Sequence, residues 1–300
     1  MHKWILYVIT GFCLFLSSYN CQASEPNDTE FGIICVPAAN LRETPSHKAE
    51  MCDQEIMGYT VKLLKHQENW YQVQTENKYT GWMTDTSFFK ADRAKLAQWQ
   101  ASDKVRAVKV LATVYSKPDV LSRPITHVTM NALLKKIKTQ IGGWVKVETP
   151  DGRNGFMKSE DCVDAVKIQM SKEQLAKSII ETAKTMMGVS YLWGGRSSIA
   201  CDCSGYTSTV FRANGIMIGR DSRMQAVEGA KVDYKDDFSN VRPGDLLFFG
   251  EKKISHVAIS LGGKDYIHQS GDVHINSFDP NTQNYNEKNH KKLKAVRRFF

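Results

Sequence analysis

The sequence predicts an α+β protein in which small β-rich units precede a domain of helices and strands. Short stretches of alternating apolar and polar residues, broken by turn-forming residues, fill the chain as far as Ser171. Beyond that point helical periodicity comes first and three strand-like stretches follow, the order typical of an α+β domain. The 300 residues are enough for two or three domains, and a chain with 24% charged and 42% hydrophobic residues has the composition of a globular protein.

Residues 1–23 are interpreted as a secretory signal peptide. His2 and Lys3 precede a mostly apolar stretch, and small residues surround a cleavage site near Ala23. The apolar stretch is shorter than the roughly 20 residues that a transmembrane helix needs. We therefore expect an exported protein, periplasmic or extracellular, with no membrane span after cleavage. A lipid anchor on Cys21 stays an open alternative.

The charge and the cysteines limit the possible partners. A net charge of +8 favours anionic surroundings. The densest basic cluster lies at the C-terminus and is interpreted as solvated, so no nucleic-acid partner is expected. Five cysteines remain after cleavage, which leaves at least one thiol unpaired. A disulfide between Cys35 and Cys52 is possible, the states of Cys162 and Cys201 are open, and the spacing does not fit a zinc site. No metal or other cofactor is expected.

A repeat precedes the α+β domain. Trp70 and Trp144 are 74 residues apart, and the same offset relates Gly81 to Gly155. A fixed offset indicates two copies of one structural unit. The alternating pattern within each copy predicts a small antiparallel barrel. The predicted domains are a first barrel at 24–90, a linker helix at 91–102, a second barrel at 103–168 and the α+β domain at 169–300.

The elements of the last domain follow from local patterns. Ser171 and Gln174 form a capping box ahead of an apolar stripe, which predicts a helix that ends near Gly188. A second helix is predicted to begin around Cys203. Short turns between the strand-like stretches favour an antiparallel meander. Its three strands are predicted at Asp245–Phe249, His256–Leu261 and Asp265–Gln269.

Cys203 is the candidate nucleophile. It lies at the first turn of the second helix, where the positive end of the helix dipole favours a thiolate over a thiol. A hairpin centred on Gly262 places His256 opposite His268, so that one imidazole accepts the cysteine proton and the other orients it. Taken singly, the cysteine is equally explained as a small buried residue and each histidine as a structural residue. Their combination favours catalysis.

Six motifs between residues 171 and 300 resemble those of NlpC-type, papain-like cell-wall cysteine peptidases. The repeat units resemble bacterial SH3 domains, and the nearest subgroup is that of the γ-D-glutamyl-L-diamino acid endopeptidases of the dipeptidyl-peptidase VI kind. The motifs are Tyr191-Leu192-Trp193-Gly194-Gly195, Asp202-Cys203-Ser204-Gly205, Arg220-Asp221-Ser222 with Gln225, Arg242-Pro243-Gly244-Asp245-Leu246-Leu247-Phe248-Phe249, His256-Val257-Ala258-Ile259 and His268.

The resemblance implies a role for nine residues. Cys203 is the nucleophile, His256 the general base and His268 its orienting partner, and the backbone N–H of Cys203 helps to hold the oxyanion. The implied substrate-binding residues are Glu43, Tyr79, Tyr191, Ser204, Asp221 and Ser222.

Glu43 and Asp221 also have a physical rationale. Two carboxylates facing a free α-amino group, which is protonated at neutral pH, would favour it over an acylated one. Without the resemblance, Glu43 is explained as a solvated loop residue and Asp221 as a helix N-cap. The second repeat copy has Ser116 and Arg153 at the places of Glu43 and Tyr79. The second barrel is therefore expected to be structural.

The implied function is hydrolysis of the γ-D-glutamyl–diamino acid bond, with diaminopimelate or lysine, in peptidoglycan-derived peptides that have a free N-terminal L-Ala. The expected enzyme is a monomer whose barrels close the end of the cleft. Two alternatives stay open: an N-acetylmuramoyl-L-alanine amidase or broad endopeptidase acting on intact peptidoglycan, and a catalytically inert wall-binding protein.

Overall fold

The computed structural model describes residues 31–166 and 169–300, without the side chains of residues 138–141. The predicted signal peptide and the possible lipid anchor on Cys21 lie outside the described residues. So does residue 168, the predicted end of the second barrel.

The first β-rich unit is an antiparallel sheet. Within the described residues its order is β3-β2-β6-β5-β4-β1-β7. Ile34, Leu41 and Val73 are fully buried and belong to its core. Leu41 and Val73 alternate with less buried neighbours, as expected for strands with one buried face. The strands are β1 Phe31–Ile34, β2 Ala38–Arg42, β3 Met51–Ile56, β4 Thr60–Gln67, β5 Trp70–Thr75, β6 Thr80–Thr84 and β7 Phe88–Ala91.

The second unit repeats the first strand for strand. In the described part of the chain its strand order is β10-β9-β13-β12-β11-β8-β14. Each strand number is seven higher than that of the corresponding strand in the first unit. The offset is 73 residues up to the start of β11 and 74 from β12 onward, because β11 has nine residues and β4 eight. The strands are β8 Lys104–Ala107, β9 Leu111–Tyr115, β10 Pro124–Thr129, β11 Leu133–Ile141, β12 Trp144–Glu148, β13 Asn154–Lys158 and β14 Cys162–Asp164.

A helix joins the two units, as predicted. This helix, α1, spans Arg93–Ala101, and the side chain of Asp92 caps it by accepting a hydrogen bond from the backbone N–H of Lys95 at 2.8 Å. Trp99 is buried and its indole N–H donates to the carbonyl of Gly58 at 2.9 Å. The linker is therefore packed on the first unit.

The last domain begins with the predicted helix. Helix α2 spans Lys172–Thr185, and both hydrogen bonds of the capping box between Ser171 and Gln174 are present. Helix α3 spans Cys203–Ala213, followed by two short helices, α4 Ser222–Gln225 and α5 Glu287–Lys292.

Its sheet contains nine strands among the described residues, in the order β16-β17-β15-β22-β21-β20-β19-β23-β18. The predicted meander of three strands is confirmed as β19, β20 and β21, and β22 extends it. The pairing is antiparallel except between β15 and β17. The strands are β15 Ser190–Tyr191, β16 Arg196–Ser197, β17 Ala200–Cys201, β18 Ala230–Lys231, β19 Leu246–Gly250, β20 Ile254–Gly262, β21 Asp265–Ser270, β22 Asp272–Ser277 and β23 Leu293–Arg298.

The core of this domain lies between its helices and the sheet. Ile179 of α2 and Phe211 of α3 pack with Val257 of β20, all three without measurable exposure. Met130, from the turn after β10, joins the same core, so the second barrel packs directly on the helical layer. The class is α+β, as predicted. No helix in the described part of the chain is both long enough and apolar enough to cross a membrane.

Candidate active site

The start of α3 holds Cys203 in place. Asp202 is its N-cap, and Asp202 Oδ1 accepts from the backbone N–H of Gly205 at 2.7 Å. A Cβ added to Gly205 would lie 2.0 Å from the carbonyl oxygen of Gly195. Only glycine allows this helix to approach the preceding loop so closely, which explains the glycine of the Asp-Cys-Ser-Gly motif.

The environment of Cys203 differs from the expectation. Burial, reinforced by the neighbouring Asp202 carboxylate, raises the pKa of the Cys203 thiol to about 12, against the lowering predicted from the helix dipole. Hydrogen bonds from the backbone at Val257 and Ser204 act in the opposite direction but are outweighed. The thiol therefore needs a base at the moment of attack, and the bond at Val257 places the sulfur beside the residue that follows His256.

The two histidines meet, but not as directly opposed residues. Ile259 pairs with Ile267 and Ser260 with Tyr266. A hairpin centred on Gly262 would instead pair Ile259 with Asp265, so the observed register is shifted by two residues. The predicted register was wrong because the turn lies further along the chain than a centre on Gly262 places it. The real turn occupies Gly263 and Lys264, and the register also shifts next to Ser260.

A displacement of two residues keeps both histidines on the same face of the sheet, as diagonal neighbours. His256 Nε2 lies 2.8 Å from His268 Nδ1, and the ring planes are nearly perpendicular at 77°. Burial lowers the pKa of His256 to about 3 and that of His268 to about 4. Both rings are therefore neutral at physiological pH, which is the form that can accept a proton.

A cleft of about 390 Å³ opens at the nucleophile. Neither histidine lines it, although the wall includes Ile254 and Ser255, directly before His256. The predicted residues that it brings together are Cys203, Ser204, Tyr191, Asp221, Ser222, Glu43 and Tyr79.

The substrate-binding candidates differ in how free they are to bind. Asp221 is at the N-cap position of α4, yet its side chain makes no capping hydrogen bond. Within residues 31–166 and 169–300, neither Asp221 nor Glu43 has a cationic partner. Burial and then the Asp221 charge raise the pKa of Tyr79 to about 12, so this phenol stays a hydrogen-bond donor. The Ser204 hydroxyl is occupied, since it donates to Asp202 and accepts from Arg220, both at 3.1 Å.

Several further residues of the cleft were not predicted as site residues. Tyr191, an exposed residue beside Cys203, was predicted, but Trp193 two positions later also lines the cleft. The indole N–H of Trp193 donates to Glu50 at 2.5 Å. Arg223 and Lys253 bring two cations to the same cleft. The exposed tryptophan in the Tyr-Leu-Trp-Gly-Gly motif was the one available signal.

A buried ion network joins the first barrel to the nucleophile. Arg220 binds both carboxylate oxygens of Asp202, at 3.1 and 2.7 Å, and its Nε lies 2.5 Å from Asp53 Oδ1 of β3. All three side chains are almost fully buried. Asp202, which caps the helix of Cys203, is thus held by Arg220. The charge of Arg220 is in turn neutralised by Asp53 of the first barrel.

The network continues along the same strand of the barrel. Arg196 Nη2 lies 2.9 Å from Asp53 and 3.0 Å from Glu55. Arg212 of α3 lies 2.6 Å from the other oxygen of Glu55. With Arg220 and Asp202, three arginines face three carboxylates. Local sequence patterns do not predict this network, because its members are more than 140 positions apart across the interface.

The second barrel lacks these groups. Thr126 and Val128 stand on β10 where Asp53 and Glu55 stand on β3. Arg153, at the place of Tyr79, donates to the carbonyl of Cys35 at 3.2 Å, a contact between the two barrels. These contacts support the expectation that the second barrel is structural.

Cysteines and metal ligands can also be placed. The five cysteines of the described chain are all free, so the possible disulfide between Cys35 and Cys52 is not formed. Cys201 is buried, and Gln269 Nε2 approaches its sulfur at 3.9 Å. Across the described residues, no group of three or more potential ligands is arranged to hold a metal ion.

A cysteine at a helix start, packed against an antiparallel sheet that carries a histidine pair, is the arrangement of the papain-like cysteine-peptidase fold. The sequence pattern of the NlpC/P60 family matches residues 188–294, and that of a bacterial SH3 domain matches residues 37–88. The chain belongs to the NlpC/P60 family of cell-wall peptidases.

Two curated relatives cover most of the chain. It is 31% identical over 227 residues to the γ-D-glutamyl-L-lysine dipeptidyl-peptidase of Bacillus subtilis, covering 72% of this chain and 71% of that protein. It is 28% identical over 255 residues to the dipeptidyl-peptidase 6 of Lysinibacillus sphaericus, covering 82% of this chain and 91% of that protein.

Solved structures show the same fold. An NlpC/P60 family protein from Bacillus cereus superposes with a TM-score of 0.74 at 22% identity, over 90% of this chain and 99% of that one. An NlpC/P60 endopeptidase from Photobacterium damselae subsp. piscicida superposes with a TM-score of 0.61 at 16% identity, over 88% of this chain and 70% of that one. The fold is therefore shared over most of this chain.

Proposed function

We propose that this protein cleaves the bond between γ-D-glutamate and a diamino acid, diaminopimelate or lysine, in peptidoglycan-derived peptides with a free N-terminal L-Ala. The observation that carries the proposal is the pair of carboxylates, Glu43 and Asp221, that face the cleft of Cys203 from two different domains. The name of the Bacillus subtilis relative, γ-D-glutamyl-L-lysine dipeptidyl-peptidase, supports a bond of the same kind.

The two carboxylates select for a free amine through charge. An α-amino group has a pKa near 8 and is largely protonated at neutral pH. Glu43 and Asp221 stabilise that cation, and Tyr79 completes the end of the cleft. Acylation of the amine removes its charge and leaves both carboxylates partly desolvated without a partner. Arg223 and Lys253 are the matching cations for carboxylates of the γ-D-Glu and diamino-acid residues.

The chemistry is acyl transfer through a thioester. His256 takes the proton of Cys203 as the sulfur attacks the γ-carbonyl carbon of D-glutamate, and His268 orients His256. The backbone N–H of Cys203, at a helix start that provides no intrahelical acceptor, stabilises the oxyanion. The C–N bond breaks as His256 returns the proton to the leaving amine. Water then attacks the thioester, which releases the dipeptide and restores the thiol.

The substrate is tested with L-Ala-γ-D-Glu-meso-diaminopimelate and its N-acetylated form, with products analysed by mass spectrometry. We expect free diaminopimelate from the first peptide only. Glu43→Gln is expected to reduce the preference for the free amine, while Glu160→Gln, an exposed residue of the second barrel, leaves it unchanged. Equal cleavage of both peptides would refute the proposed selectivity.

The nucleophile is tested separately. Cys203→Ala is expected to abolish release of diaminopimelate, and Cys52→Ala, which removes the other thiol of the cleft, is expected to retain activity. Residual hydrolysis in Cys203→Ala would contradict the mechanism. Dye release from intact peptidoglycan, without cleavage of the tripeptide, would instead favour an amidase or a broad endopeptidase.

We also propose the organisation around this activity. The identical strand order supports a second bacterial SH3 unit at 103–168, after a first at 24–90 and the linker at 91–102, with the peptidase domain at 169–300. Export follows from the leader at 1–23 and from a substrate that lies outside the cytoplasm. The protein is proposed to act as a monomer, which size-exclusion chromatography with light scattering tests.

A further inference from the structure

A line of hydrogen bonds continues beyond His268, away from the cleft. His256 Nε2 meets His268 Nδ1 at 2.8 Å, and His268 Nε2 meets Asn276 Oδ1 of β22 at 2.9 Å. The same oxygen accepts from Asn286 Nδ2 at 2.9 Å. The line therefore connects the proposed base to the start of α5, because Asn286 is the N-cap of that helix.

The direction of each amide in this line is set by backbone groups. The backbone N–H of Asn289 can only donate, and its acceptor at 2.9 Å is Asn286 Oδ1, so Asn286 turns its NH₂ group toward Asn276. Independently, Asn276 Nδ2 faces the carbonyl oxygens of Ile275 and Asn284, at 3.2 and 3.3 Å, and these can only accept. Both sets of contacts orient the side-chain amide of Asn276 so that its oxygen faces His268.

We propose that Asn276 is a positioning residue that sets the tautomers of both histidines. Its oxygen requires a proton on His268 Nε2, so a neutral His268 offers the lone pair of Nδ1. That lone pair in turn requires the proton of His256 on Nε2. The lone pair of His256 is then on Nδ1, the nitrogen left to receive the proton of Cys203.

The surroundings of His268 support this assignment. Its side chain is 2% exposed, and burial keeps the ring neutral. His274 lies directly opposite on β22, with ring centroids 4.6 Å apart, but its Nδ1 is bound to Asp272 at 2.9 Å. Tyr266 packs at 5.2 Å as a ring contact. Among the described residues, Asn276 is thus the hydrogen-bond partner of His268 on the side away from His256.

The inference rests on the proposed role of His256 as the base, and its first test needs no substrate. Imidazole ¹⁵N chemical shifts of the full chain, labelled at histidine and assigned with His256→Gln and His268→Gln, report which nitrogen carries the proton. We expect a proton on Nε2 of both rings in the unsubstituted protein. A proton on Nδ1 of either ring would overturn the inference, whether or not the protein cleaves the tripeptide.

The second test is kinetic. Asn276→Leu is expected to lower kcat roughly 10- to 100-fold, with KM changed less than about threefold, because an unfixed tautomer removes the base and not the binding site. Asn286→Ser keeps a helix N-cap but removes the amide donor, and it is expected to lower kcat in the same sense. Asn289→Ala keeps the backbone donor and is the matched control, with kcat unchanged.

The outcomes separate positioning from mere packing. A rise of a Nδ1–H signal of His268 in Asn276→Leu, together with the loss of kcat, supports the inference. Restored activity in Asn276→Asp relative to Asn276→Leu supports it further, because a carboxylate accepts the same proton. Unchanged kcat in a folded Asn276→Leu, or an unchanged tautomer of His268, would overturn it.

Discussion

Replacement of Asp53 by asparagine is predicted to destabilise the protein strongly, although Asp53 lies in the first barrel and outside the proposed catalytic triad. The substitution keeps the shape of the side chain and removes one charge. Three buried arginines then face only two carboxylates. The arginines are Arg196, Arg212 and Arg220, and the remaining carboxylates are Asp202 and Glu55. The network, neutral in the unsubstituted protein, becomes positively charged.

The magnitude follows from the burial and the distances. Asp53 and Arg220 are at most 1% exposed, and the two arginine contacts of Asp53 are 2.5 and 2.9 Å long. A pair of unit charges 4 Å apart is worth about 4 kcal/mol at an effective dielectric constant of 20. Removing one partner of a buried ion pair costs about 3–5 kcal/mol, because the other partner stays desolvated. We expect Asp53→Asn to lose that much unfolding free energy.

The assay is urea unfolding followed by circular dichroism, combined with kcat for the tripeptide. The matched control is Glu148→Gln, which removes an acid from the half-exposed pair with Lys135 at 3.0 Å and should cost less than about 1 kcal/mol. Because Arg220 holds the N-cap of α3, kcat should fall as well. A loss in Asp53→Asn no larger than that in Glu148→Gln would refute the reasoning.

Three further predictions concern the site. The rate of iodoacetamide alkylation of Cys203 should still rise above pH 9, because burial raises its pKa to about 12; a rate independent of pH between 6 and 9 would contradict this. Acid should destabilise the fold, because unfolded His268 takes up a proton below its usual pKa of about 6.5 whereas the folded residue does so only near 4. Between pH 7 and pH 5, the unfolding free energy of the unsubstituted protein should fall by about 2 kcal/mol more than that of His268→Gln. Equal losses in the two proteins would contradict the lowered pKa of His268. Gly205→Ala should inactivate the enzyme through the close contact with Gly195, measured as loss of both kcat and Cys203 alkylation, whereas Ser208→Ala on the same helix should not.

Local patterns predicted most of the elements because their causes are local. The capping box of Ser171 and Gln174, the helix start at Cys203 and the three strands of the meander are each set by neighbours within a few positions. The repeat predicted two equivalent units, and their strand orders agree. The proposed places of Glu43 and Tyr79 in the site depended on the resemblance, since nothing local distinguishes a cleft residue from a solvated one.

Contacts between distant segments were beyond local patterns. The partner of Asp53 is an arginine 167 positions away, and charged residues on a strand read as a solvated face until their partners are known. The pKa of Cys203 was predicted in the wrong direction, because the helix dipole is visible in sequence whereas the burial that outweighs it is not. The hairpin register depended on where the chain turns, at Gly263 and Lys264, one position beyond the predicted centre.

By itself, the sequence determined the α+β class, the duplicated β-rich unit, the helix that begins at Cys203 and the two histidines on one face of a hairpin. Periodicity, capping and motif spacing are properties of adjacent residues. Only the tertiary structure decided that Glu43 and Asp221 share a cleft, that Arg220 joins barrel to nucleophile and that Asn276 meets His268. Those contacts depend on the packing of whole domains and on the burial that packing creates.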